Sequence, residues 1–163
     1  MIFHVSIAAA DPARVAGVLA ELWRGKAYPF APVATGSLIV HAGDDRNSAI
    51  EVYPRGTVLV PVDGDADATS RHDPADDGHS ATHLAIATPL SQAEVMAIAE
   101  REGWIAKYRK RGGLFGVIEL WLENALMVEV LTQEMVGEYL RGMTLARWDG
   151  AAARGPGASA AAE

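Results

Sequence analysis

The chain has 163 residues, half of them hydrophobic, a formal net charge of −7 and no cysteine. That length suits one ordinary domain or two small modules sharing a core. Lack of cysteine excludes disulfides and thiolate ligands, leaving histidine and carboxylate for any metal, and the acidic balance argues against general nucleic-acid binding.

No apolar run is long enough to span a bilayer, and no basic segment or cleavage site precedes the first strand pattern. A cytoplasmic protein with no membrane partner is expected.

Residues 1–8 alternate, with Phe3, Val5 and Ile7 on one face and His4, Ser6 and Ala8 on the other. Asp11 before Pro12 signals a helix start, a side-chain cap followed by a residue that needs no N–H donor. Val15, Val18, Leu19, Leu22 and Trp23 then form one apolar stripe, and Gly25 is expected to end the helix. Pro29 and Pro32 restrict any strand over 28–35 to a short or edge strand. Residues 37–41 predict a strand, 43–47 a turn, and 49–53 a further strand carrying Glu51. The first part is thus a βαβββ module, within residues 1–62, and a further short strand over 57–62 leads out of it.

Residues 63–79 hold six aspartates and are expected to form a solvated, mobile linker. Asp63, Asp65 and Asp67 resemble the opening of a calcium loop, but Ala68 and Pro74 stand where that loop needs glycine and glutamate. His72 and His79 are expected to be exposed.

The plan then repeats over residues 80–145. Residues 81–87 predict a strand with His83. Ser91 and Glu94 form a capping box for a helix with Val95, Ile98 and Ala99 inside, closed by Gly103. A short strand is expected over 104–108, a hairpin over 117–122 and 126–131, and a final helix over 132–141 capped by Thr132. Residues 146–163 are Ala/Gly-rich and expected to be disordered.

Two residues recur at matched places. His4 precedes Glu51 by 47 positions, and His83 precedes Glu129 by 46. A lone histidine on an apolar strand is ordinarily a hydrogen-bonded core residue, and a lone glutamate an edge or salt-bridge residue. A buried carboxylate needs a partner. Two histidines and two glutamates repeated together point to one divalent cation, of Zn, Ni, Co, Mn or Fe, with open positions for substrate. Ile118, Leu120 and Leu122 face a helix, so Glu119 and Trp121 face the site. Glu119 is a candidate general base, or pairs with Lys107 or Arg109. The basic cluster 107–111 either draws an anionic substrate or is a solvated strand end.

The duplicated βαβββ module, with His4, Glu51, His83 and Glu129 on the first and last strands of each copy, resembles the vicinal oxygen chelate superfamily over about residues 1–132. Glyoxalase I, extradiol dioxygenases and the fosfomycin and bleomycin resistance proteins belong to it. The resemblance implies an α+β fold in which two modules form a cupped, half-open mixed sheet with helices outside. It further implies metal binding by His4, Glu51, His83 and Glu129, with Glu129 or Glu119 moving a proton. The expected activity is that of a glyoxalase-like lyase or isomerase on a small oxygenated substrate, from a monomer or homodimer. The alternatives are a non-catalytic sequestering protein of the bleomycin-resistance type and an extradiol-type dioxygenase. The dioxygenase triad would leave one glutamate without a role. The glyoxalase I stretches beyond the ligand positions are absent, as is a recognisable glutathione-binding set.

Overall fold

The structure, a computed structural model, describes residues 2–30, 34–60, 69–80, 82–144, 146–147 and 150. The chain divides into two compact units. One is Met1–His83 with Trp121–Met127, and the other is Leu84–Leu120 with Val128–Glu163.

The first unit begins β1 (His4–Ala9), α1 (Pro12–Trp23), β2 (Lys26–Pro29), β3 (Leu38–His41) and β4 (Ala49–Pro54). The sheet order is β1-β4-β3-β2, with β1 and β4 parallel and the other pairs antiparallel. Pro29 ends the edge strand β2, where a missing N–H leaves no inner ladder bond unmade. The side chain of Asp11 accepts the Arg14 N–H and caps α1. Val15, Val18, Leu19 and Leu22 are buried against this sheet.

Helix α1 ends differently from expectation. Arg24, not Gly25, takes the left-handed conformation, at φ 51°. Gly25 serves another purpose: a Cβ there would collide with the carbonyl of His41, which β3 brings alongside the start of β2.

Strands β5 (Thr57–Val60) and β6 (Thr69–His72) pair antiparallel. Part of the segment expected to be a mobile linker is therefore ordered, because β5 offers an unpaired edge that β6 satisfies. The aspartates at 63, 65 and 67 lie outside the described residues, as does the tail from 151 onward.

The chain then repeats the plan with β7 (Leu84–Ala87), α2 (Gln92–Glu102), β8 (Ala106–Arg111), β9 (Phe115–Leu122) and β10 (Leu126–Leu131), followed by α3 (Gln133–Gly142). The order β7-β10-β9-β8 mirrors the first sheet, again with the first and last strands parallel. The fold is α+β, built of two βαβββ modules whose sheets stay open. Ser91 and Glu94 form the expected capping box, and Gly103 ends α2 in the left-handed conformation. Several boundaries shift. Strand β8 runs three residues past the expected Tyr108, and β7 begins one residue after His83.

No helix of the described residues is long and apolar enough to cross a membrane.

Two carboxylates lock these elements. At the β9–β10 turn, Glu123 accepts the N–H groups of Ala10 and Asp11, both at 2.6 Å, and an Arg55 N–H at 3.0 Å. It thus places a negative charge at the start of α1, where the helix dipole favours one. On α3, Glu138 accepts from the Lys110 ammonium at 2.6 Å and the Gly116 N–H at 2.7 Å. The Phe115 and Tyr139 rings meet edge to face, 4.9 Å apart, at the same place.

Replacing Glu123 by Ala strands two backbone donors and Arg55, and is expected to cost about 1–3 kcal/mol in urea unfolding. An unchanged midpoint would show that the turn is not a latch. The Lys110 ammonium first, then the Gly116 N–H, hold the Glu138 carboxyl below the usual range. A depressed carboxyl stabilises the fold above its unfolded pKa and loses that contribution as pH falls through the folded value. Glu138→Gln is therefore expected to lower the midpoint near pH 7, with the gap closing as pH drops below about 4.3. A gap constant with pH would contradict this role.

Candidate functional site

In the first unit the parallel register sets Ser6 opposite Glu51 and His4 opposite Ala49. His4 stands two residues before Glu51's partner, so both side chains leave the same face. His4 Nε2 lies 3.9 Å from Glu51 Oε1. The other carboxylate oxygen is held from behind. The Ser6 hydroxyl donates to Oε2 at 2.7 Å and the Tyr53 hydroxyl donates to it at 2.9 Å. Burial, reinforced by the bond to Glu51, raises the Tyr53 pKa, so the phenol keeps its proton. The histidine is not buried, as its strand pattern had suggested. Its side chain is 60% exposed against 13% for Glu51, because β1 begins at His4 and little covers a strand's first residue.

The second unit repeats the register. Ala85 on β7 is opposite Glu129 on β10, and His83 stands two residues before Ala85. His83 is exposed, since it precedes β7 instead of lying within it. Glu129 is 9% exposed. Its partner is an arginine. Arg111 Nε donates to Glu129 Oε1 at 2.9 Å, and Nη2 donates to the same oxygen at 2.5 Å. That Nη2 also lies 2.8 Å from Glu119 Oε1, while Arg109 Nε is 3.5 Å from Glu119 Oε2. The bond to Glu129 is the main reason the Arg111 pKa rises further.

The structure thus brings His4 to Glu51, and joins Glu119 to Glu129 through Arg111. Among the described residues no group of three or more His, Asp or Glu side chains is gathered around one point. His41 meets the Tyr28 ring edge-on at 6.2 Å, and His72 and His79 are exposed. The donor chemistry nonetheless fits a hard or borderline divalent ion. Each glutamate has one oxygen fixed by neighbours, Oε2 in Glu51 and Oε1 in Glu129, and the other outside those bonds. Outer partners of this kind orient ligating carboxylates.

Arg111 is the residue that sequence reasoning missed. A strand ending at Tyr108 leaves it in a loop. The signal was the alternation itself: Lys107, Arg109 and Arg111 share a face, and Lys107 pairs in register with Glu119.

Arg111→Met removes the one cation between two largely buried carboxylates. The expected loss is about 1–3 kcal/mol, at the lower end because Arg111 is partly exposed. Adding Glu129→Gln should recover part of it. Equal stability of the single variant and the parent would show that the pairing carries nothing.

No protein-family model and no curated protein sequence matches the chain. Solved structures do. The fosfomycin resistance protein FosX of Listeria monocytogenes, in complex with Mn(II) and sulfate, superposes with a TM-score of 0.55 at 11% identity, over 86% of this chain and 96% of that one. A lactoylglutathione lyase from Agrobacterium tumefaciens gives 0.52 at 13% identity, over 84% and 96%. FosX from Mesorhizobium loti gives 0.51 at 12% identity, over 84% and 95%. Likeness at such identity is one of fold. The two open sheets of order first-last-third-second, each closed by a parallel pair, give this chain the vicinal oxygen chelate fold.

Proposed function

We propose that the protein is a divalent-metal-dependent enzyme of the glyoxalase-like type, a lyase or isomerase acting on a small oxygenated substrate. His4 and Glu51 would be the ligand pair of the first module, and His83 and Glu129 that of the second. The observation that carries this reading is the repeated register: in both modules the histidine stands two residues before the strand partner of the glutamate. The Mn(II) in the Listeria FosX structure supports a divalent ion on this fold.

A bound divalent ion supplies Lewis-acid polarisation of a substrate oxygen. The chain's own groups do the rest. Ser6 and Tyr53 hold Glu51 Oε2 and leave Oε1 toward His4. Arg111 holds Glu129 Oε1, so Glu129 Oε2 is the atom to which we assign proton transfer. Glu119, paired with Arg109 and Arg111, is a positioning residue for Arg111 in this reading.

One observation favours a second reading. Arg111 already pairs with both Glu119 and Glu129, and Arg109 stands beside Glu119, as a metal-free sequestering protein would require. The two differ in metal content. The enzyme reading expects about one divalent ion per chain by elemental analysis after reconstitution with Zn, Ni, Co, Mn or Fe. Loading should weaken as pH falls, because imidazole ligates only when neutral. Glu51→Gln and Glu129→Gln should each weaken it by about 10-fold or more. No metal with any of the five ions would overturn the enzyme reading and leave the sequestering one.

A further inference from the structure

Beside Glu51, wholly within the first unit, lies a cavity of about 270 Å³. Ser6, Tyr53 and Thr57 line it, with Asp76 at one side and Leu59 and Leu126 as its apolar walls. Its hydrogen-bonding character follows from where the hydroxyl protons go. Ser6 and Tyr53 both donate to Glu51 Oε2, and Thr57 donates to the Pro54 carbonyl at 2.6 Å. All three protons are committed to the protein, so these oxygens can offer only lone pairs to a guest. Asp76 adds a carboxylate held in place by the N–H groups of Gly56 at 3.0 Å and Gly78 at 2.8 Å. Those two bonds, Gly78's first, keep its pKa low and its charge on. Among the described residues no lysine or arginine lines the cavity; the Arg55 guanidinium, bonded to Glu123, lies behind Gly78.

Ser80 and Thr82 also line the cavity, the Ser80 oxygen accepting the Thr82 N–H at 3.1 Å, so acceptors outnumber donors around one negative charge, and such a cavity selects for hydrogen-bond donors and against anions. We propose that it is a binding subsite for a small hydroxylated amine, or for that part of a larger substrate. The ammonium would face Asp76, with hydroxyls donating to Ser6, Tyr53 and Thr57. Phosphonates, phosphates and carboxylates would be rejected. Ser6 and Tyr53 touch both the cavity and Glu51, so an occupant there is one hydrogen bond removed from a proposed metal ligand. Only this catalytic meaning rests on the enzyme reading above; the cavity's selectivity stands apart from it.

The test uses the full chain after treatment with chelator, followed by amide NMR shifts. The probes are serinol (an amino diol), glycerol and methylphosphonate. Serinol and glycerol should shift the amides of Gly56, Thr57 and Gly78, serinol binding about 10-fold more tightly through its charge-assisted bond. Asp76→Asn should abolish that preference while leaving glycerol binding within about 2-fold. Methylphosphonate should shift none of these amides. Phosphonate binding as tight as serinol, or no shift with any probe, overturns the proposal. If Asp76→Asn does not fold, the ranking of the three probes on the parent protein decides alone. Metal loading without serinol binding would sink the subsite only, and serinol binding without metal loading would sink the enzyme reading only.

Discussion

A carboxylate on a strand with apolar neighbours must find donors or a cation, and both modules are arranged around that requirement. Glu51 and Glu129 occupy equivalent positions on the last strand of their sheets, each paired in parallel with the first strand. Leaving either unpartnered would carry a desolvation penalty of about 1–3 kcal/mol or more. The two modules answer differently. The first uses two hydroxyls and a nearby imidazole. The second uses a guanidinium shared with a third carboxylate.

That difference makes the surroundings of the two glutamates chemically unlike although the backbone repeats. Neutral donors in the first module leave the charge of Glu51 uncompensated and available to a cation. They also commit their own protons, so that Ser6 and Tyr53, like Thr57, present lone pairs to the neighbouring cavity. In the second module Arg111 compensates the charge but engages a single oxygen of Glu129. A metal there would share its carboxylate with an arginine, which orients the group and weakens its field.

Much of the fold is legible in the chain. Period-2 alternation around His4 and Glu51, the Asp11–Pro12 helix start, the Ser91–Glu94 capping box and the hairpin ending in β10 all have local causes. So does the duplication, since matched residues at nearly equal spacing survive where overall similarity does not. The errors fall where local signals are silent. Gly25 carries an apparent helix-stop signal, but tertiary approach to His41 is what requires glycine there. The run from Lys107 to Arg111 has no apolar alternation, yet it is a strand because β9 offers it an edge and Glu119 and Glu138 offer it charge. Strand β6 is polar throughout and exists only as the partner of β5.

By itself the sequence determined the fold class, the two modules and the four candidate ligands. These depend on periodicity, caps and repetition, which are properties of neighbours along the chain. Only the tertiary structure decided which carboxylate oxygen is taken and by whom, that Arg111 stands between Glu119 and Glu129, and that the Ser6, Tyr53 and Thr57 hydroxyls have already spent their protons. Those facts depend on strand register and side-chain direction across residues far apart in sequence, and no local pattern encodes them.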